Sequence, residues 1–416
     1  MINAPRGTKD ILPKEVHNWR HIEHHIRDIC DRFGYEEIRT PIFEHTELFQ
    51  RGIGEGTDVV DKEMYTFEDR GGRSLTLRPE NTASAVRAFL QNKLFAEKSL
   101  TKLFYIGSMF RYDRPQAGRM REFHQFGVEA IGEQNPAVDA EIIILAWDFL
   151  TGLGLNDLEL RLNSVGCPNC RPKYRDALKD YFRDKLGDLC EDCQDRFEKN
   201  PLRILDCKKD SEKDFMAGAP KLIDHLCDEC RDHFEHVKNY LTTGGIKFEL
   251  DSKLVRGLDY YTKTAFEIRY SPLGAQSAVA GGGRYDGLVE EIGGNPTPAV
   301  GFAAGLERIL LALEQQELIH EHAHDREFFI VAVGEESRRF AFKLLTEFRR
   351  KNILVDMDFS DRSMKAQMKQ ASKSNAKFAV IIGEDELKNN EVTLKNLETS
   401  EQKKYSVEKI LERIDL

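Results

Sequence analysis

Residues 104–132 read FYIGSMFRYDRPQAGRMREFHQFGVEAIG, and their alternation decides the fold. Side chains on a strand point to opposite faces in turn. Tyr105, Gly107, Met109 and Arg111 therefore share one face of a first strand, and Phe123, Gln125, Gly127 and Glu129 share one face of a second. If those faces coincide, a cation, an amide and a carboxylate converge over a surface that two glycines keep clear of bulk. The loop Asp113–Met120 between the strands carries Arg114, Gln116 and Arg119 beside Pro115 and Gly118. It is longer and more basic than a minimal hairpin turn requires, which suits an approaching anion.

Upstream, apolar or aromatic residues recur at Val16, Trp19, Ile22, Ile26, Ile29 and Phe33, predicting a helix from about Glu15 that Gly34 stops. EEIRTPIF (36–43) reads as one short strand that Pro41 places at a sheet edge or bend, a place where a second subunit can pack. MYTFED and SLTLRP read as a hairpin around Gly71 and Gly72, and Thr82 as the N-cap of a helix reaching Leu90. Residues from about 167 to 240 change character: helix-like, highly charged, and holding seven of the eight cysteines. That stretch reads as an insertion. Strands resume at Lys247–Leu250 and Thr264–Tyr270, followed by Gly281, Gly282 and Gly283 and the strand-to-helix passage PAVGFAAGLERILLAL. After a charged linker, Glu314–Arg326, the segments FFIVAV, ILVDM and FAVII alternate with helical stretches, which predicts a small α/β domain with a mostly parallel sheet. The expected division is one domain over 1–325, insertion included, and a second over 326–416.

With 416 residues, 40% hydrophobic and 32% charged, the chain has the composition of a soluble globular protein of two or three domains. No basic stretch followed by an apolar run opens it, and runs such as Ile142–Trp147 are far too short to span a bilayer. A cytoplasmic protein without membrane contact is expected. A net charge of −10 argues against coating nucleic acid through bulk electrostatics but permits a local basic surface. Residues 326–416 hold 18 Lys and Arg against 16 Asp and Glu, so the acidity lies in the rest.

Four further clusters carry chemistry. In RPENTASAVR (78–87), Glu80 and Thr82 stand at a helix start, where they can cap the helix or accept from an ammonium group. In LVRGLDYYTKTAFEI (254–268), Arg256 can grip a carboxylate or phosphate bidentately, and a tyrosine hydroxyl can orient a polar ring. GGGRYDGL (281–288) lacks the Lys and Ser/Thr of a phosphate loop and reads instead as a tight turn beside a pocket, with Tyr285 as a wall. In GFAAGLERIL (301–310), Arg308 lies in the first turn of a helix, ill placed there unless an anion binds or Glu307 pairs with it. Three separated arginines with acidic and amide groups imply nucleotide chemistry on an antiparallel sheet. Fixed cations and Mg²⁺ would stabilise charge as pyrophosphate leaves. His17, His21, His24 and His25 read as a solvated helix face.

At these residues the chain resembles the bacterial histidyl-tRNA synthetase family of class II aminoacyl-tRNA synthetases, over nearly its whole length. FGYEEIRTPIFEHTELF is similar to class II motif 1, FRYDRPQAGRMREFHQFG to motif 2 and GFAAGLERIL to motif 3, while LVRGLDYYTKTAFE and GGGRYDGL resemble the two histidine-specific motifs. The resemblance implies an α+β fold: a class II catalytic domain on a mainly antiparallel sheet, a helical insertion and a C-terminal α/β anticodon-binding domain. It implies that Arg111 and Arg308 hold the phosphates of ATP with Mg²⁺, and that Arg256 stabilises the reacting carboxylate and α-phosphate. Glu80 and Thr82 would take the α-amino group of L-histidine, Gln125 its carboxylate region, and Glu129 with Tyr261 its imidazole. Arg114 and Gln116 would approach the acceptor end of tRNA(His), and motif 1 implies a homodimer. The implied reaction is adenylation of histidine and its transfer to tRNA(His). The competing readings are a non-catalytic ATP phosphoribosyltransferase regulatory subunit, for which a missing C-terminal domain and damaged motifs are expected, and a histidine-sensing module.

Three CxxC pairs, Cys167/Cys170, Cys190/Cys193 and Cys227/Cys230, mark the insertion. Any two of them can build a tetrahedral zinc site, with Cys207 as a further ligand, and a reducing compartment disfavours disulfides.

Overall fold

The computed structural model describes residues 2–412 apart from 55–56, 206, 208, 211–212, 256–257, 259 and 320–326, and only the backbone of 275 and 276. The chain divides into two compact units, Met1–His320 and Glu321–Leu416. Among the described residues no helix is long and apolar enough to cross a membrane.

The first unit is built on an eight-stranded sheet. In spatial order its strands are Glu36–Glu37, Thr101–Phe110, Glu122–Ile131, Ala299–Gly305, Ala278–Arg284, Thr262–Tyr270, Leu158–Ser164 and Glu249–Leu250. The six central strands are antiparallel, and the two-residue strand at each edge is parallel to its neighbour. In the hairpin, Tyr105 pairs with Gly127, Gly107 with Gln125 and Leu103 with Glu129, so the faces expected to coincide do coincide. Alternation then separates two environments. Phe104, Phe126, Val128, Val300 and Phe302 enter a core with Ile22, Ile26 and Ile29 of helix Val16–Phe33 and Ile142, Leu145 and Phe149 of helix Pro136–Gly152. Each such side chain, fully buried, contributes about 1.5–3 kcal/mol. The opposite face, with Tyr105, Gln125, Glu129 and Gly301, is left for the site.

Behind the site a buried ion pair joins sheet to helix. Arg284 Nε donates to both oxygens of Asp139 at 3.1 Å and Nη1 to the Glu133 carbonyl at 3.0 Å, and His233 Nε2 lies 3.2 Å from Asp139 Oδ1. Burial opposes ionisation of Asp139, but Arg284 and His233 overcome it and hold the carboxyl down to about 2.

The structure corrects several expectations in this unit. EEIRTPIF is two strands: Glu36–Glu37 joins the large sheet, while Phe43–His45 joins a separate three-stranded sheet with Ser74–Leu77 and Tyr65–Glu68. Pro41 lies between them, where a missing N–H costs neither ladder a hydrogen bond. Gly281, Gly282 and Gly283 lie inside strand Ala278–Arg284 rather than in a tight turn. A Cβ at Gly282 would overlap the Gly301 carbonyl, and one at Gly283 the Thr264 carbonyl, so close backbone approach selects glycine there. On helix Val16–Phe33, His21 and His24 are exposed as expected, but His25 is half-buried, stacked on Phe149 and bonded to its carbonyl at 3.1 Å. The insertion contains helices Arg171–Arg183, Glu191–Lys199 and Asp228–Thr243. Its core of Tyr174, Leu178, Phe182, Phe197 and Ile204 is continuous with Tyr260, Tyr261 and Tyr285.

In the second unit five strands run in the order Val355–Met357, Phe328–Ala332, Phe378–Ile382, Glu391–Asn396 and Gln402–Ser406. The first three are parallel and the last two antiparallel, so the sheet is mixed rather than mostly parallel. The final strand, QKKYS, is an exposed edge and polar, so it carries no apolar run.

Candidate active site

A cavity of about 600 Å³ opens on the polar face of the large sheet, a size ordinary for a small-ligand site. Glu80, Thr82, Arg111, Gln125, Glu129, Tyr261, Tyr285 and Arg308 all line it. Arg256 lies outside the described residues. Arg114 and Gln116 are exposed on the hairpin loop and do not line the cavity, whereas Arg119 of the same loop does.

Glu129 forms the floor. The glycine across the sheet, Gly301, leaves it room, since a Cβ there would overlap Glu129 Oε2 and the Val128 carbonyl. Thr82 Oγ1 and the Tyr105 hydroxyl both donate to Glu129 Oε1, at 2.8 and 3.0 Å, while the Tyr285 hydroxyl donates to Oε2. Burial dominates its acidity: those hydrogen bonds favour the anion, yet desolvation together with nearby Glu80 pushes the Glu129 carboxyl up to about 8. Raised that far, this floor gains a proton within reach of neutral pH. It is therefore suited to a partner that shares one, such as an imidazole.

The capping role falls to Glu80, not to Thr82. Glu80 accepts from the Thr82 N–H at 2.6 Å and the Ala83 N–H at 3.0 Å, at the start of helix Thr82–Gln91, whose N-cap residue is Asn81. Burial raises its carboxyl as well. Two N–H bonds use half of the lone-pair sites of a carboxylate, so acceptors remain for an ammonium group. Among the described residues Gln125 Oε1 is buried without a hydrogen-bond partner. An amide can turn either its oxygen or its NH₂ toward a ligand.

The two described arginines are anchored by backbone. Arg111 Nε donates to the Pro79 carbonyl at 2.8 Å, with the guanidinium 5.5 Å over the Phe123 ring. Arg308 Nε donates to the Gly118 carbonyl of the hairpin loop at 3.2 Å and Nη1 to the Ala278 carbonyl at 2.8 Å. Glu307 takes the His124 N–H at 2.9 and 3.0 Å and His124 Nδ1 at 2.9 Å. Its carboxylate is thus engaged by the hairpin strand. Both guanidinium groups face one cavity, as a polyphosphate requires. Glu267 and Glu307 line the same cavity and offer the hard oxygen ligands that suit Mg²⁺ shared with phosphate.

Among the CxxC pairs, the first and third come together: the sulfurs of Cys167, Cys170, Cys227 and Cys230 lie within 4.8 Å of one another. Cys190 and Cys193 group instead with Cys207 and Asp210.

Several lining residues escaped the sequence. Tyr105 was placed on the correct face by alternation, but its bond to Glu129 spans two strands. Tyr260, its ring centroid 4.7 Å from Tyr261 and 5.5 Å from Tyr285, completes an aromatic wall. Arg196, Arg203 and Lys209 reach the cavity from the insertion. No local pattern announces that docking.

A family model described as Histidyl-tRNA synthetase matches residues 7–309, and one described as Anticodon binding domain matches residues 327–415. The Histidine--tRNA ligase of Pelotomaculum thermopropionicum is 56% identical over 412 residues, 99% of this chain and 97% of that one. That of Clostridioides difficile is 52% identical over 415 residues, 100% of this chain and 99% of that one. The crystal structure of apo histidyl-tRNA synthetase from S. aureus has a TM-score of 0.84 at 41% identity, covering 99% of both chains. The chain belongs to the histidyl-tRNA synthetase family.

Proposed function

We propose that this cavity activates L-histidine with ATP and passes the histidyl group to tRNA(His). The single observation that carries the reading is the buried Glu129, bonded by Thr82, Tyr105 and Tyr285, in the same cavity as Arg111 and Arg308. The imidazole of histidine binds Glu129 and the tyrosine wall of Tyr261 and Tyr285. Its second ring nitrogen needs a polar partner, because burying it unmatched would be costly. Glu80 and Thr82 take the α-amino group, and Gln125 the carboxylate region. These contacts aim a carboxylate oxygen of histidine at the α-phosphorus of ATP. Attack forms the acyl–phosphate bond, the bond between the α-phosphorus and its bridging oxygen breaks, and pyrophosphate leaves. Arg111 and Arg308 hold the departing charge, and Arg256 the reacting carboxylate and α-phosphate. Bound Mg²⁺, for which Glu267 and Glu307 offer oxygens, supplies further neutralisation of the phosphates. The terminal ribose hydroxyl of tRNA then attacks the carbonyl carbon, releasing AMP.

Supporting placements complete the reading. Exposed Arg114 and Gln116 suit contact with the acceptor end. Residues 1–325 act as the catalytic domain and 326–416 as the anticodon-binding domain of a cytoplasmic homodimer. Phe43 and Phe67, exposed on the small sheet, and exposed Ile42 just before it supply an apolar surface for the dimer. Cys167, Cys170, Cys227 and Cys230 bind structural zinc. A regulatory subunit is the weaker reading, because the family match runs through both units.

Histidine-dependent exchange of labelled pyrophosphate into ATP tests the activity. Exchange that requires histidine is expected; folded protein that binds histidine and does not exchange would reject the enzyme reading.

A further inference from the structure

The second cysteine cluster of the insertion has no part in the reaction above. The ligand atoms of Cys190, Cys193, Cys207 and Asp210 lie within 4.8 Å of one another, and Cys193 and Asp210 are fully buried. Cys190 Sγ and Cys207 Sγ are 3.7 Å apart. That is far beyond a disulfide bond. It matches the edge of a tetrahedron, since metal–sulfur bonds of about 2.3 Å at tetrahedral angles separate the sulfurs by about 3.8 Å. The Cys167–Cys170 edge is 3.6 Å and the Cys167–Cys227 edge 3.9 Å, so the two clusters share one scale.

They also share a local turn. The Cys193 and Gln194 N–H groups both donate to the Cys190 carbonyl, at 2.9 and 3.0 Å, as the Cys170 and Arg171 N–H groups do to the Cys167 carbonyl, at 3.0 and 3.1 Å. Such a turn brings both cysteines of a CxxC pair to one point. The fourth ligand is positioned by its surroundings: Asp210 accepts from the Cys190 N–H at 3.1 Å and from Lys213 Nζ at 2.7 Å. Three thiolates and a carboxylate leave a bound divalent ion with an excess of negative charge. Lys213 stands where it offsets that excess.

The site also borders the cavity. Helix Glu191–Lys199 begins just after Cys190, and its Arg196, with Arg203 from the following turn, reaches Asp58 at 3.4 and 3.0 Å. Asp192, Arg196, Arg203, Cys207 and Lys209 line the cavity that holds Arg111 and Arg308.

We infer that Cys190, Cys193, Cys207 and Asp210 form a second structural zinc site, separate from the four-cysteine site, which holds the Arg196–Arg203 segment at the mouth of the cavity. Thiolate-rich tetrahedral sites select zinc, and an ion that ties Cys190 and Cys193 to Cys207 and Asp210 adds folding energy to a segment whose core includes Phe197 and Ile204. The metal site stands independently of the proposed reaction, whereas its effect on the cavity rests on that reading.

The test uses the full chain purified from zinc-supplemented cells. Metal analysis should find two zinc ions per chain, one in Cys207→Ala and one in Cys227→Ala. Loading with cobalt(II) should give tetrahedral d–d bands and sulfur-to-cobalt charge transfer that falls by about three-sevenths in Cys207→Ala, because three of seven thiolates lose their ion. Asp210→Asn, which keeps every thiolate, guards against a misfolded Cys207→Ala and should release one zinc to a chelator ahead of the other. One zinc or none in the wild type, or two retained in Cys207→Ala, would overturn the site. In pyrophosphate exchange, loss of this ion should raise the KM for ATP about three- to tenfold, and an unchanged KM would overturn its hold on the cavity. A wild type that carries two zinc ions but shows no exchange would speak against the proposed reaction alone.

Discussion

Glu129→Gln removes the titrating proton from the cavity floor and keeps its shape. The wild-type carboxyl, buried beside Glu80, is pushed up to about 8, while a free imidazole titrates near about 6.5. Between those values the free partners hold one proton, on Glu129, and the complex shares that proton across the carboxyl–imidazole bond. Binding then neither takes up nor releases protons. Below about pH 6.5 both partners are protonated and binding must release a proton; above about pH 8 neither is and binding must take one up. Histidine affinity should therefore be bell-shaped in pH. In Glu129→Gln the limb near 8 disappears and the acid limb stays. The α-amino group of the ligand titrates alike in both proteins, so the difference between the curves isolates Glu129. At neutral pH the lost charge-assisted hydrogen bond, about 1.5–3 kcal/mol, weakens histidine binding about 10- to 150-fold. Titration calorimetry in buffers of different ionisation enthalpy measures both affinity and proton count. Stability carries the same signature. The folded carboxyl is raised above its ordinary 4.5, so the ligand-free wild type loses stability as pH rises from there toward 8, and Glu129→Gln does not. A variant that binds histidine like the wild type, or keeps the alkaline limb, would refute the assignment.

Three other perturbations follow from the packing. Gly301→Ala places a methyl against Glu129 Oε2 and the Val128 carbonyl, so the KM for histidine should rise by about 100-fold or more in protein that circular dichroism shows to be folded; an unchanged KM would count against the floor. Arg284→Met strands Asp139 in the core and should cost about 3–5 kcal/mol in denaturant unfolding, with a loss under 1 kcal/mol as the contrary result. Because Asp139 is held down to about 2, its pairing stabilises the chain above the ordinary carboxyl range, and that contribution should fade as pH falls toward 2. Arg308→Lys cannot span the Gly118 and Ala278 carbonyls and still face a phosphate, so kcat/KM for ATP should drop about 100-fold with little change in histidine binding, and equal losses in both would deny it a phosphate role.

What was legible in the sequence is what period and local chemistry carry. Strict alternation placed Tyr105, Gln125 and Glu129 on one face, and the register of the hairpin agrees. The passage into LERIL placed Arg308 at a strand-to-helix junction beside the cavity. Other features depend on partners distant in the chain. Nothing local says that Gly282 faces the Gly301 carbonyl, so three glycines in a row looked like a turn. Pro41 signalled a break, but not that the two halves join different sheets. Three CxxC pairs allow three pairings, and only the fold sets Cys167 and Cys170 against Cys227 and Cys230 and recruits Asp210 for the remaining pair. Nothing local singles out Arg196 and Arg203, whose partner Asp58 lies far away in the chain.

A crystal structure with L-histidine and a non-hydrolysable ATP analogue would place both ligands against the residues named here. An imidazole nitrogen at about 3 Å from the Glu129 carboxyl is expected, with the phosphates in the same cavity against Arg111 and Arg308. An imidazole seated away from Glu129, or phosphates that touch neither arginine, would contradict it.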